Sequence, residues 1–429
     1  MISVDTADAV MFFSFAVTLI AYFRLSRMEG SYINILVPAL ITAIPACYFF
    51  PWLYLHLFGT TASTYAFMYV YATLAVENVA FVYAYTRARQ SVIRLPGAWS
   101  YRNFTFLSLA CLITGVLLYL PIVFEFRQDL LDPRRIYEQT RTGFGLQFYV
   151  SSFLAYLAVV LILFTKRSWL MKWMVVLVAA GLLLLHGSKG HVLNLVLLLI
   201  LFHVYGASRK VGFGRALIVC SIMALVIVLL FAGTMTLGEG PQEVLEAISE
   251  YSDYTRNATM VIDDHLPLQL GRLTFEANIL ALVPRALMPN KAKNLGGLYL
   301  DEEFYPEQLD ADAGAPSFGI GVQYADFGSL AIVYLALFAI LRGWLARIFV
   351  NRLNGSRHPA DFFMIAFLAD VTVFPVGGLG WFITGAILVA LLLRKISTIG
   401  AGRIYRDRQK RRVLLPASDL AGSGQWEST

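Results

Sequence analysis

Four cations fall between residues 272 and 293 of this chain, Arg272, Arg285, Lys291 and Lys293. Guanidinium groups match phosphate oxygens two at a time and lysine adds a point charge, so this grouping points to a phosphate-bearing anion. A second group, Arg127, Arg134, Arg135 and Arg141, repeats the feature. Lys189 sits in the turn Gly187-Ser188-Lys189-Gly190, whose glycines allow backbone N–H groups to converge on an anion. That turn lacks the upstream glycine and strand of a nucleotide P-loop. His265 follows Asp263 and Asp264 and has the chemistry of a general base. The bland alternatives are ion pairs with nearby carboxylates for the cations and a capping or solvated role for the histidine. No His, Cys or carboxylate pair has metal-ligand spacing, so the reading includes no metal and no cofactor.

The elements that must hold these residues are set by composition. The chain has 429 residues, 58% of them apolar and only 14% charged, with a mean hydropathy of +0.65. Soluble domains are nearer a quarter charged. A soluble multidomain enzyme, a disordered scaffold and a disulfide-built module are excluded; Cys47, Cys111 and Cys220 all lie in apolar runs. A membrane crossing takes about 20 helical residues. Eleven runs qualify, at 9–23, 33–57, 65–85, 104–124, 146–164, 169–185, 191–205, 216–237, 329–345, 361–376 and 379–393. The fold class is therefore an all-α polytopic membrane protein with about eleven transmembrane helices.

Charge placement gives the orientation. Most of the 34 Lys and Arg residues, among them Arg342, Arg347, Arg352 and Arg357, fall on connections that become cytoplasmic when the N-terminus is outside, while most of the 28 acids fall on the other side. The net charge of +6 is then topology and not a nucleic-acid signal. Asp5 and Asp8 stand where a signal peptide would be basic, which makes the first helix a retained anchor. The organisation expected is helices one to eight over 1–237 with a shorter outer loop at 125–145, a large outer loop at 238–328, three more helices over 329–393, and a basic, partly disordered inner tail at 394–429. The large loop opens with an amphipathic pattern, Val244, Ile248 and Tyr251, and continues with a helix over 272–283 lying on or dipping into the outer membrane face. All the cation groups named above then lie outside, where basic residues need a local reason. Glu77 and Asp370 fall inside membrane runs, which makes them functional candidates or structural hydrogen-bond partners.

Three stretches resemble the Wzy-type polymerases of bacterial surface polysaccharides and the related O-antigen ligases. They are Gly187-Ser188-Lys189-Gly190, then Val283-Pro284-Arg285-Ala286-Leu287-Met288-Pro289-Asn290-Lys291, then the segment from Gly319 to Leu330 that contains Gln323, Tyr324, Asp326 and Gly328. Gln323 departs from the pattern, since many members have Glu there. His265 lacks the glycine spacing of the ligases, which favours a polymerase. The resemblance implies a GT-C-like bundle in the bacterial inner membrane, with its active site facing the periplasm. It further implies a metal-independent transfer of a glycan from an undecaprenyl-diphosphate carrier to the non-reducing end of a second lipid-linked unit. In that scheme Arg272, Arg285 and Lys291, with Lys293 beside them, stabilise the diphosphate leaving group. Arg135, Arg141 and Lys189 hold the second lipid-linked unit, and His265 or Glu276 takes the hydroxyl proton. Tyr324 and Trp381 are the aromatic contacts to the glycan. The partners implied are membrane lipids and lipid-linked oligosaccharides, with a chain-length regulator and a flippase as candidates. An O-antigen ligase and a transporter or flippase of lipid-linked oligosaccharide stand as alternatives.

Overall fold

Apolar runs in a chain this poor in charge can satisfy their backbone groups inside a membrane only as helices. The structure, a computed structural model, describes residues 2–88, 101–128, 136, 144–187, 189–232, 249–264, 266–280, 288, 295–307, 316–371 and 391, and these hold helices and no strand. Five helical stretches are long and apolar enough to cross a membrane: Val4–Glu29, Val37–Phe58, Thr64–Arg87, Phe104–Glu125 and Gly321–Gly355. Five shorter apolar helices accompany them.

In chain order, α1 is Val4–Glu29, started by the Ser3 hydroxyl and stopped by Gly30 at φ +66°. The stretch Val37–Phe58, α2, is interrupted by a π turn at Pro45–Phe49, where proline has removed a backbone donor. Next come α3 (Thr64–Arg87), α4 (Tyr101–Glu125), α5 (Gly145–Leu163), α6 (Trp169–Leu185), α7 (Lys189–Leu201) and α8 (Phe213–Ala232). The large loop contributes α9 (Asp253–Asp263), α10 (Arg272–Asn278), α11 (Leu298–Phe304) and α12 (Gly321–Phe327). The last described helices are α13 (Ala331–Ser356) and α14 (Pro359–Leu368). The expected eleventh run, at 379–393, lies outside the described residues except for residue 391.

The bundle centres on α3, which packs most extensively on α13 and then on α1; α4 packs on α5. The α3–α13 approach is closest at Gly343. A Cβ there would lie 2.2 Å from the Phe81 carbonyl oxygen, so only glycine permits this crossing. The main apolar core joins α4, α5, α6, α7 and α14 through residues such as Tyr156, Leu161, Leu183, Leu201 and Phe363. A buried Arg352–Asp361 ion pair (3.2 Å) fastens the end of α13 to the start of α14.

Two expectations change. Arg342, read from sequence as an inner-loop charge, is the twelfth residue of the 26-residue α13 and lies within the bundle. The run at 329–345 already contained it; counting charges by side had put it on an inner connection, and the helix continues past that run to Ser356. The run at 361–376 is not one continuous helix either: α14 ends at Leu368, and Asp370 turns the chain with φ +62°.

Candidate functional site

The described parts of the segment between α8 and α13 pack on one another. Val261, Leu273, Leu300, Phe318 and Ala325 form its core, one residue from each of its short helices and Phe318 from the link before the last of them. This cap is fastened to the start of α3. Asp263 Oδ2 accepts from the Ser63 backbone N–H (2.7 Å) and Oδ1 from its hydroxyl (2.5 Å), while that hydroxyl accepts from Ala66 N–H as the N-cap of α3. From there α9 runs down beside α3, with Ala258 and Ile262 against Ala66 and Val70. The turn before it, Glu250–Ser252, meets the middle of α2, where Tyr251 faces Phe50 (6.2 Å between centroids). At 1.5 Å per residue α9 descends about 16 Å. Part of the large loop is therefore inserted among the membrane helices. The sequence reading placed an amphipathic helix over 244–251; residues 233–248 lie outside the described residues, and the helix that forms is α9.

Asp326, in the third of the quoted stretches, organises the other half of the cap. Its fully buried carboxylate accepts from Leu273 N–H (2.9 Å), Thr274 N–H (2.6 Å) and the Thr274 hydroxyl (2.6 Å), so it fixes the start of α10. Two further bonds, from Gln269 N–H to the Ala325 carbonyl and from Leu270 N–H to the Asp326 carbonyl, lay the strap before α10 along α12. Charged hydrogen bonds of this kind contribute about 1.5–3 kcal/mol each, and loss of a cap costs about 1 kcal/mol. Asp326→Ala should speed amide exchange across residues 270–275 at least tenfold by mass spectrometry, with Asp326→Asn intermediate. Unchanged exchange in Asp326→Ala would show that the cap does not depend on this carboxylate.

Three of the sequence-derived candidates can be located with their side chains. Arg272, half exposed at the first position of α10, lies over the Tyr299 ring (4.7 Å) and 3.8 Å from Glu276. Glu276, mostly covered, also accepts from the Gly296 backbone N–H (3.1 Å). The geometry thus brings Arg272 and Glu276 together and engages Glu276 as a clamp between α10 and α11. Tyr324 faces away from them, edge-on to Tyr69 (5.0 Å) and packed toward α3. Lys189 is the first residue of α7; its side chain is outside the described set. Arg135, Arg141, His265, Arg285, Lys291, Lys293 and Trp381 lie outside the described residues.

The structure adds residues that sequence reasoning passed over. A polar cleft of about 870 Å³ opens between the end of α2, the 59–62 link, α9 and α11. Arg256 lies in it, over the Tyr54 ring (4.9 Å) and bonded to Asp253 (2.9 Å). Asp263, Asp264, Phe58 and Tyr305 complete its character. The Tyr305 hydroxyl donates to Asn257 Oδ1 (2.8 Å), and burial, opposed by the neighbouring Arg256 charge, holds its phenol above the ordinary value. The available signal was the register of α9: Ala258, Val261 and Ile262 mark one face, and Asp253, Arg256 and Asp263 fall off it. Two other hollows, about 620 Å³ between α1 and α2 and about 370 Å³ between α1, α2 and α8, are walled by apolar side chains such as Phe12, Phe15 and Trp52 in the first and Leu19, Leu40 and Leu217 in the second.

Inside the bundle, Glu77 of α3 and Asp370 lie near enough to Arg342 for their charges to act on it. Arg342 Nη2 also donates to the Leu368 carbonyl (3.0 Å), one of the carbonyls left open where α14 stops. The two acidic residues singled out by hydropathy thus lie near one cation, which the charge count had assigned to an inner connection.

No family profile matches the chain, and no solved structure matches it. Over 370 residues it is 33% identical to the O-antigen polymerase of Salmonella typhimurium strain LT2, covering 86% of this chain and 89% of that protein. The O-antigen polymerase of Salmonella typhi gives the same identity and coverage.

Proposed function

The chain belongs to the O-antigen polymerase family, and from that premise we propose that it joins undecaprenyl-diphosphate-linked repeat units at the cap end of its bundle, on the periplasmic side of a bacterial inner membrane. The observation that carries this reading is the polar cleft under a folded cap, at one end of a bundle of apolar helices. In the proposed step an acceptor-sugar hydroxyl oxygen attacks the anomeric carbon of the donor glycan. The bond from that carbon to the phosphate oxygen breaks, and the electron pair leaves with the lipid diphosphate. The hydroxyl proton passes to a base, His265 or Glu276. Charge develops on phosphate oxygens, so fixed cations lower the barrier without a metal; Arg272, Arg285, Lys291 and Lys293 take that role. Arg135, Arg141 and Lys189 hold the second lipid-linked unit, and Tyr324 and Trp381 bear on its sugars. The apolar hollows along α1 suit polyprenyl tails. A flippase and a chain-length regulator are the partners such a reaction calls for.

The test is reconstitution of the purified chain in liposomes with lipid-linked repeat units. A ladder of lengthened lipid-linked chains is expected. Transfer only onto an added lipid A core would replace the reading by ligation. A broken helix and acidic residues within the bundle also occur in transporters; movement of lipid-linked oligosaccharide between leaflets that depends on Glu77 but not on Arg272 would favour that second reading.

A further inference from the structure

We infer that the cleft between α2, α9 and α11 is a glycan subsite that accepts uncharged or amine-bearing sugars and rejects anionic ones, leaving the diphosphate to be bound elsewhere. The inference rests on the polymerase reading and assigns this cleft a ligand chemistry.

Its charge balance carries the argument. Among the described residues the cleft lining holds one cation, Arg256, against two carboxylates, Asp263 and Asp264, while Asp253 pairs with that cation. Arg256 is already neutralised by Asp253 at 2.9 Å and lies over the Tyr54 ring, so it does not offer an unopposed charge to a phosphate. Both oxygens of Asp263 are taken by Ser63. Asp264, one residue on, is exposed and lines the cleft; its backbone N–H donates to the Met260 carbonyl, and no hydrogen bond or ion pair joins its carboxylate to another described residue. A carboxylate in that position accepts from sugar hydroxyls or a sugar ammonium. It repels a uronic carboxylate or a phosphate, and like charges brought together at a partly enclosed site strongly suppress the wrong ligand.

The walls fit the same ligand. Tyr54, Phe58 and Tyr305 give the cleft aromatic surface suited to the C–H face of a pyranose. They are held in place: Tyr54 by Arg256, and Tyr305 by Asn257, whose own amide donates to the Ser317 carbonyl (3.0 Å). At about 870 Å³ the space lies in the range of sites that enclose a ligand of several rings. The cleft is also built from the piece of the loop that is inserted in the bundle, so its shape is set by helix packing on α3.

The experiment compares two lipid-linked repeat units, one with a neutral terminal sugar and one whose terminal primary hydroxyl has been oxidised to a carboxylate. In liposomes the wild-type chain should extend the neutral unit with a kcat/KM about tenfold higher or more. Asp264→Asn should shrink that preference to about threefold or less, and Tyr54→Ala should raise KM for the neutral unit, with Tyr54→Phe restoring it. Equal use of both units by the wild type, or an unchanged preference in Asp264→Asn, overturns the inference while leaving polymerisation standing. If the wild type extends neither unit, the polymerase reading has failed instead. The subsite is then decided by binding of the two lipid-free oligosaccharides to the purified full chain, followed by tyrosine fluorescence. The neutral one should bind in an Asp264-dependent preference, and equal binding of both overturns the proposal.

Discussion

Arg342→Leu is expected to be strongly destabilising, costing about 3–5 kcal/mol. Its guanidinium lies where the charges of Glu77 and Asp370 both act on it, and it donates to the Leu368 carbonyl at the open end of α14. Leucine fills much of the volume but leaves two carboxyl groups without a nearby cation and a helix end without a donor. Removing one partner of a buried charged group is far worse than replacing the whole group by apolar residues. Glu77→Gln in the Arg342→Leu background should therefore recover part of the loss. The two changes should couple by about 0.5–3 kcal/mol in a double-mutant cycle. The measurement is unfolding of the detergent-purified chain by added dodecyl sulfate. A wild-type midpoint for Arg342→Leu would mean that neither carboxyl leans on this arginine.

How much of this was legible in the residues differs by the kind of signal. Ten of the apolar runs have helical counterparts among the described residues, because burial in hydrocarbon forces backbone pairing within each segment and leaves a plain mark in composition. The nearness of Glu77 and Asp370 to Arg342 left no such mark. It depends on how α3 and α13 cross at Gly343, and spacing along one chain does not encode a crossing between helices. The cap shows the same division. Arg272 and Glu276 were legible together because four residues on a helix is a fixed geometry. The capping of Ser63 by Asp263 joins positions 200 apart in sequence. Asp263 stood out only as the neighbour of a histidine, and its observed work is to fasten the cap. Arg256 was passed over because its region reads as polar loop until the register of α9 is known.

Arg272→Ala is expected to lower the rate of chain elongation about 100- to 1,000-fold, the loss typical of removing one fixed donor from a developing oxyanion. The size of that effect separates catalysis from structure. The contacts Arg272 makes within the cap are a cation–π contact to Tyr299 and a loose 3.8 Å approach to Glu276, with nearly half of the arginine side chain exposed. An exposed pair of this kind contributes about 0–1 kcal/mol, which cannot produce a hundredfold change in turnover by loosening the fold. Arg272→Lys should keep part of the rate, since lysine retains the charge and loses the two-pronged geometry. Glu276→Gln then completes the test. Glutamine still offers an oxygen to the Gly296 N–H, so the clamp between α10 and α11 survives, whereas a group that must take a proton is lost. A Glu276→Gln chain that elongates at the wild-type rate assigns Glu276 to the clamp and leaves the proton to His265. A collapse in rate with unaltered amide exchange across 270–275 assigns Glu276 to the base. If Arg272→Ala elongates within about threefold of the wild type, the arginine belongs to the cap, and the diphosphate must be stabilised by other cations.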